Sequence, residues 1–392
     1  MSDPVIKGWC PGALRPMMSG DGLVVRVRPR GGRLTPEQAK GIATLSARHG
    51  NGLIDLSARA NVQLRGVTEA AHGPLIEGLS ALGLIDETTE VESRRNIVVT
   101  PFWQDGDGVQ DFVQSLTRAL GHKDAPQAPG KFGYAIDCSA EPVLSEASAD
   151  IRIERGPGGT LLVRADGMGF GAEATPATVA PLALRLAQWF LETGGAPEGR
   201  GRMAAHLARG ARLPELFTEL PAIPRAAAPA PAPGPLPMGF LVGFEFGQIT
   251  ARTMSILAEN GPLRITPWRM ILIEGAAEAP AIPGLITDPA DPMLRVTACT
   301  GAPGCPQALI ATRGLARALG SALPEGTRLH VSGCAKGCAH PGPALLTLVG
   351  RADGTVDLIQ SGTAAETPSK TGLNPETLSA NPALLTETQH AP

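Results

Sequence analysis

Gly52-Leu53-Ile54-Asp55-Leu56-Ser57-Ala58-Arg59-Ala60-Asn61-Val62-Gln63-Leu64-Arg65-Gly66 decides how the chain is built, because residues 261 to 275 answer it without a gap. Leu56 falls against Ile265, Ser57 against Thr266, Val62 against Ile271 and Leu64 against Ile273. What precedes each stretch is also alike. Gly22-Leu23-Val24-Val25-Arg26-Val27-Arg28 alternates as a strand does, and Thr35-Pro36-Glu37-Gln38 reads as an N-cap, a Pro at the first helical position and an acidic first turn. The helix that follows has a core stripe of Ala39, Ile42, Ala43 and Ala47 and stops at His49-Gly50-Asn51-Gly52, before a strand at Leu53 to Leu56. Ahead of the second stretch the order is a strand at Phe240 to Phe246, a helix at Thr250 to Glu259 about one turn shorter, and a stop at Asn260-Gly261. This is the pattern of a duplicated strand, helix, strand unit, with chance likeness of two ordinary α/β units as the alternative.

Between the copies the sequence predicts a strand at Asn96 to Thr100, a helix from Gln110 to Leu120, a hairpin of Ile151 to Arg155 and Thr160 to Ala165 about Gly156-Pro157-Gly158-Gly159, and a helix from Ala177 to Leu191. Elements in this order make α+β domains around sheets. Residues 221 to 236, with Pro221, Pro224, Pro229, Pro231, Pro233 and Pro235, read as an extended linker. Residues 363 to 392, rich in Thr, Ser, Pro and Ala, read as a flexible tail.

The 392 residues are enough for several cores, and Gly 48 with Pro 37, spread along the chain, imply many turns. A formal charge of -3 gives no basic field for nucleic acid. No stretch reaches the roughly 20 apolar residues that span a bilayer, and the start resembles no secretory signal, so a cytoplasmic, membrane-free protein is expected.

Four of the six cysteines fall within forty residues. Five residues separate Cys299 from Cys305, three separate Cys334 from Cys338, and 28 lie between the pairs. Each pair can put two thiolates on one metal site. Cys305-Pro306 predicts a helix over Gln307 to Leu319 whose N-terminus faces the thiolates, and glycines around Cys334 and Cys338 let backbone amides reach sulfur. Zinc sites favour gaps of two to four residues, so the spacing fits iron–sulfur better than zinc, and four buried free thiols would fill little core. Cys10 reads as a thiol near a cavity and Cys138 as core.

Thr297-Ala298-Cys299-Thr300-Gly301 together with Gly333-Cys334-Ala335-Lys336-Gly337-Cys338-Ala339-His340-Pro341 resembles the cluster motif of the sulfite and nitrite reductase family. That resemblance implies a [4Fe–4S] cluster on the four cysteines. It also implies a duplicated α+β fold: ferredoxin-like halves at 10–75 and 237–290, larger α+β domains at 90–220 and 291–360.

Period-two alternation puts Arg59, Asn61, Gln63 and Arg65 on one face, away from Val62 and Leu64, leaving a polar strand face for a ligand. In the family the matching segment contacts a tetrapyrrole and an anion, so the resemblance carries substrate binding to these four, to Arg95 and to Lys131. Two positions depart from the pattern: Ala60 stands for a Gln and Gly133 for a second Lys. Arg152, Arg155, Arg200 and Arg202 are further cations that spacing does not separate from surface charge. No catalytic residue is identified.

The opening Cys10-Pro11-Gly12, Pro16-Met17, Gly20-Asp21-Gly22-Leu23 and Pro29-x-Gly31-Gly32-x-Leu34 resembles an oxygen-using branch of this family. That branch implies hydroxylation of the tetrapyrrole precorrin-3A at its C20 carbon with lactone formation, using O2, the cluster, a mononuclear non-haem iron and electrons from an NADH-linked reductase or a ferredoxin. The alternative is a sirohaem-dependent sulfite or nitrite reductase.

Overall fold

The computed structural model describes residues 11–139, 142–221 and 231–385. In chain order the first part contributes β1 (Met17–Ser19), β2 (Gly22–Val27), β3 (Arg33–Leu34), α1 (Pro36–His49), β4 (Leu53–Leu56), β5 (Val62–Val67) and α2 (Glu69–Ala81). A larger unit adds α3 (Thr89–Arg94), β6 (Ile97–Val99), α4 (Val109–Gly121), β7 (Tyr134–Asp137), β8 (Ile151–Arg155), β9 (Leu161–Ala165), β10 (Phe170–Ala174), α5 (Val179–Glu192), α6 (Met203–Ala208) and β11 (Leu220–Pro221). The second half gives β12 (Gly234–Leu236), β13 (Gly239–Val242), β14 (Gln248–Thr250), α7 (Ala251–Glu259), β15 (Leu263–Ile265) and β16 (Ile271–Glu274). The last unit holds β17 (Val296–Ala298), α8 (Thr312–Gly320), β18 (Leu329–Ser332), β19 (Ala344–Gly350), β20 (Val356–Gly362), β21 (Lys370–Leu373) and α9 (Pro375–Ala380).

Thr35 and Gln38 close a capping box at the start of α1, and Thr250 caps α7 in the same way from its side chain to Thr253 N–H. The turns that follow are twins. Ala60 and Arg269, at matching positions of the repeat, both take left-handed backbone (φ 53° and 61°), and Ser57 N–H to Asn61 O is mirrored by Thr266 N–H to Met270 O. Chance likeness does not give this.

The halves are interlocked. β14 of the second half pairs with β4 of the first, Ile249 opposite Ile54, while β3 of the first pairs with β15 of the second, Leu34 opposite Leu263. Each sheet therefore has five strands, one borrowed, and α1 packs on α7 over a single core that includes Ile42, Ile54, Leu64, Leu257 and Ile273.

The larger units repeat each other as well. β6, β7 and β8 run parallel with β9 and β10 antiparallel beyond them; β17, β18 and β19 run parallel with β20 and β21 antiparallel beyond. α4 and α8 are the crossovers. Such sheets take ligands outside the carboxyl ends of their parallel strands. The loops after β17 and β18 carry the cysteines.

Three expectations are corrected. The strand expected over Phe240 to Phe246 ends at Val242, because Gly243 bridges to Ile286 and the chain turns through Glu245–Gly247 with Phe246 left-handed at φ 57°. The helix expected from Gln307 begins only at Thr312. Residues 305–310 bond elsewhere: Ile310 O accepts from Ala302 N–H within the same loop, and Leu309 N–H donates to Gly333 O, which ties one cysteine loop to the other. Residues 363–385 of the expected tail are folded: β21 pairs with β20, Asn374 caps α9, and Leu378 and Leu385 are buried in the last core. Cys10, most of the proline linker and residues 386–392 lie outside the described residues.

Candidate functional site

β17 and β18 lie side by side and parallel, so their carboxyl ends deliver Cys299 and the Cys334 loop to one place. Gly333 N–H donates to Cys299 Sγ at 3.2 Å. A Cβ at Gly333 would stand 2.6 Å from Ala308 Cβ, so only glycine lets this amide so close. Thr312, at the first turn of α8, donates its hydroxyl to Cys299 O at 2.7 Å. The helix end thus lies by Cys299, not by Cys305 as the sequence implied. Burial pushes the Cys334 and Cys338 thiols up; a Lys336 N–H opposes this at Cys334, the Lys336 ammonium opposes it at Cys338, and both thiols feel Cys299 and Cys305. All four sulfurs are electrostatic neighbours.

The donor set fits a [4Fe–4S] cluster: four soft thiols on two tied loops, with backbone N–H groups aimed at sulfur. Among the described residues no three or more His, Cys, Asp or Glu side chains are drawn together around an ion-sized point.

Beside the cysteines is a cavity of about 320 Å³ lined by Cys299 and Cys338 and by four arginines, Arg26, Arg59, Arg269 and Arg313. The duplicated sheet supplies the opposite wall. Arg26 donates Nε and Nη2 to Gln63 Oε1 (3.1 and 2.7 Å), an arrangement fixed by the cross-strand pair Arg26 and Gln63. Arg59 crosses to the first large unit, donating Nη2 to Lys131 O and Ser148 Oγ. Arg269, projected by its left-handed backbone, donates to Ala339 O at 2.6 Å, one residue beyond Cys338. Arg313 reaches Asp55 at 3.4 Å and stands 5.9 Å from the Phe246 ring. Arginine forks in a half-enclosed space suit a ligand rimmed with carboxylates.

Of the residues named from sequence, Arg59 and Gln63 line this cavity. Asn61 is buried in the turn before β5. Arg65 is buried and spent on Asp21, Ser19 and Gly304 O. Arg95 is bound in the core by Asp86 and by Arg28 O, and does not line the cavity. Lys131 meets the site through its carbonyl, with its side chain exposed. Arg152 is held by Asp166 and two carbonyls, and Arg202 by Asp150 and Ser148. Arg26, Arg269 and Arg313 were missed. Alternation along β2 marked Arg26, and the repeat aligns Arg269 with Ala60; nothing in the sequence marks Arg313.

The lining of this cavity does not fit a mononuclear iron. The cavity offers one carboxylate, Asp55, already engaged by Gln248, Arg313 and Arg65, and no imidazole. His340 bonds to Pro343 O, and Cys138 is buried with its thiol pushed up to about 12.

The pattern of the nitrite/sulfite reductase ferredoxin-like half domain matches residues 15–82. The structure of the Mycobacterium tuberculosis NirA protein shares the fold, with a TM-score of 0.58 over 94% of this chain and 81% of that one at 17% identity. The chain belongs to the sulfite and nitrite reductase family. Within it, the chain is 30% identical to the precorrin-3B synthase of Sinorhizobium sp., over 93% of this chain and 84% of that protein. It is 25% identical to a ferredoxin–nitrite reductase of Synechococcus elongatus, over 86% of this chain and 77% of that one.

Proposed function

We propose that the chain is an oxidoreductase of cobalamin biosynthesis that converts precorrin-3A to precorrin-3B, with hydroxylation at the C20 carbon and lactone closure. One atom of O2 enters the macrocycle and the other leaves as water, with two electrons from an external donor. The observation that carries this reading is the four-arginine cavity against Cys299 and Cys338, in a chain 30% identical to a precorrin-3B synthase. The two departures from the reductase pattern support it. A Cβ at Gly133 would stand 2.9 Å from Asn96 Nδ2, so a second lysine is not accommodated there without a shift, and the buried Ala60 offers no amide where the reductase pattern has a Gln.

Arg26, Arg59, Arg269 and Arg313 would grip the carboxylate rim of the macrocycle, with Gln63 and Asp55 fixing the aim of Arg26 and Arg313. Phe246 walls the cavity beside Arg313 and keeps water from that edge. A [4Fe–4S] cluster held on Cys299, Cys305, Cys334 and Cys338 would supply single electrons. The alternative, a sirohaem-dependent reductase, rests on the same cavity and on the 25% identity.

Anaerobically purified protein, given precorrin-3A, reductant and O2, is expected to yield a product heavier by one oxygen atom. A sirohaem spectrum with turnover of sulfite or nitrite and no oxygenated product overturns the reading.

A further inference from the structure

We propose that a small cavity behind Phe246 receives O2 and passes it to the macrocycle; this rests on the oxygenation reading above. The cavity has a volume of about 70 Å³, and Phe244, Phe246, Met270, Met293, Leu294 and Val296 are among its walls. At ~30 Å³ for each water it has room for a diatomic molecule.

The walls suit a molecule that carries no charge and makes no hydrogen bonds. Gly243 exchanges both backbone bonds with Ile286, Phe244 O accepts from Gly247 N–H, and Met270 exchanges bonds with Thr266. The polar side chains of the wall are Arg269, Thr297 and Trp268, and Arg269 donates to Ala339 O. A held water needs two to four polar partners, and backbone that is already paired offers few; an apolar diatomic needs none.

This cavity and the four-arginine cavity share two walls, Phe246 and Arg269. The contact continues along β17, where Val296 lines the small cavity and Ala298, two residues and about 7 Å further on, lines the large one. O2 leaving the small cavity therefore meets the edge of a macrocycle gripped by Arg269 and Arg313.

Phe246 is held between the two under strain. Its backbone is left-handed at φ 57°, which bulky side chains rarely adopt, and the twin turn of the first half has Gly31 at φ 62°. Such strain persists where the surroundings enforce it, and it clusters at functional sites. The ring is 7% exposed, with the guanidinium groups of Arg313 and Arg317 5.9 and 5.6 Å from its centre, so it separates the charged cavity from the apolar one.

Xenon, an apolar atom that enters such cavities, probes the site, and the oxygenation assay with precorrin-3A reads its use. Crystals of the cluster-loaded protein under xenon pressure are expected to hold xenon behind Phe246. Leu294→Trp fills the space, and it should exclude xenon and lower kcat/KM for O2 about tenfold. Its affinity for uroporphyrin, a stable carboxylate-rimmed tetrapyrrole whose fluorescence reports binding, should stay at the wild-type value. If Leu294→Trp does not fold, Leu294→Phe, with less added bulk, decides. An ordered water and no xenon in wild type, or a wild-type kcat/KM for O2 in the filled variant, overturns this inference alone. A loss of uroporphyrin affinity as large as the loss in kcat/KM would assign the space to the macrocycle and contradict the proposal. No O2 consumption by wild type given precorrin-3A and reductant overturns the oxygenation reading and this inference with it.

Discussion

The duplication gives the molecule two equivalent places for a site, and it has kept one open and closed the other. At the end of β17, Cys299 N–H donates to Val331 O; at the end of β6, Thr100 N–H donates to Ile136 O in the same way. Where the second half has cysteines, the first has Thr100 and Ser139, whose hydroxyls meet at 3.3 Å. The repeat places Trp268 where the other copy has Arg59, and Trp268 stacks on Phe102 at 5.9 Å. Arg264, the counterpart of Asp55, lies over the Trp103 ring at 3.7 Å and donates to Pro101 O and Trp103 O. Aromatic rings fill one site; arginines line the other. A fold can be copied whole while its chemistry stays in one copy.

The largest expected contrast is between Cys338→Ser, which should abolish turnover in the oxygenation assay, and Ser139→Ala, which should leave it unchanged. Trp268→Ala should cost about 2 kcal/mol in urea unfolding, less than a fully buried ring because Trp268 is only partly buried, and bind no iron. Gain of iron there would break the comparison. The paired arginines come next. Arg264→Met should cost about 1–2 kcal/mol, because it strips the donor from Pro101 O and Trp103 O while Arg33 keeps Glu274 paired, with uroporphyrin affinity unchanged. Arg313→Met should leave stability nearly unchanged and weaken that affinity about tenfold.

A smaller effect separates the halves by pH. Burial holds the His330 imidazole down at about 4, below its ordinary value near 6.5. The unfolded chain then takes up a proton that the folded chain refuses, so the stability contribution is present above about 6.5 and is lost as pH falls through about 4. His330→Leu should flatten the urea midpoint across that window; an unchanged pH dependence would show that another group carries it.

The duplication was legible in the sequence because its signals are local. Thr35 and Thr250 mark helix starts, the glycines mark turns, and the Ile151 to Ala165 hairpin follows from alternation about a glycine turn. The strand exchange was not, because β3 and β14 are two and three residues long and gain their partners only when both halves are present. The four cysteines announced themselves by spacing. The arginines did not: Arg26, Arg269 and Arg313 come from three distant segments and meet only through the pseudo-twofold packing. Arg95 looked the same in sequence and is neutralised by Asp86 in the core.

The most direct measurement is iron and acid-labile sulfide per chain in anaerobically purified wild type, Cys299→Ser and Thr100→Val. The expected result is about four of each in wild type and Thr100→Val, with loss in Cys299→Ser. Stoichiometric zinc in wild type, or iron and sulfide retained in full by Cys299→Ser, would contradict the assignment of the working site to the second half.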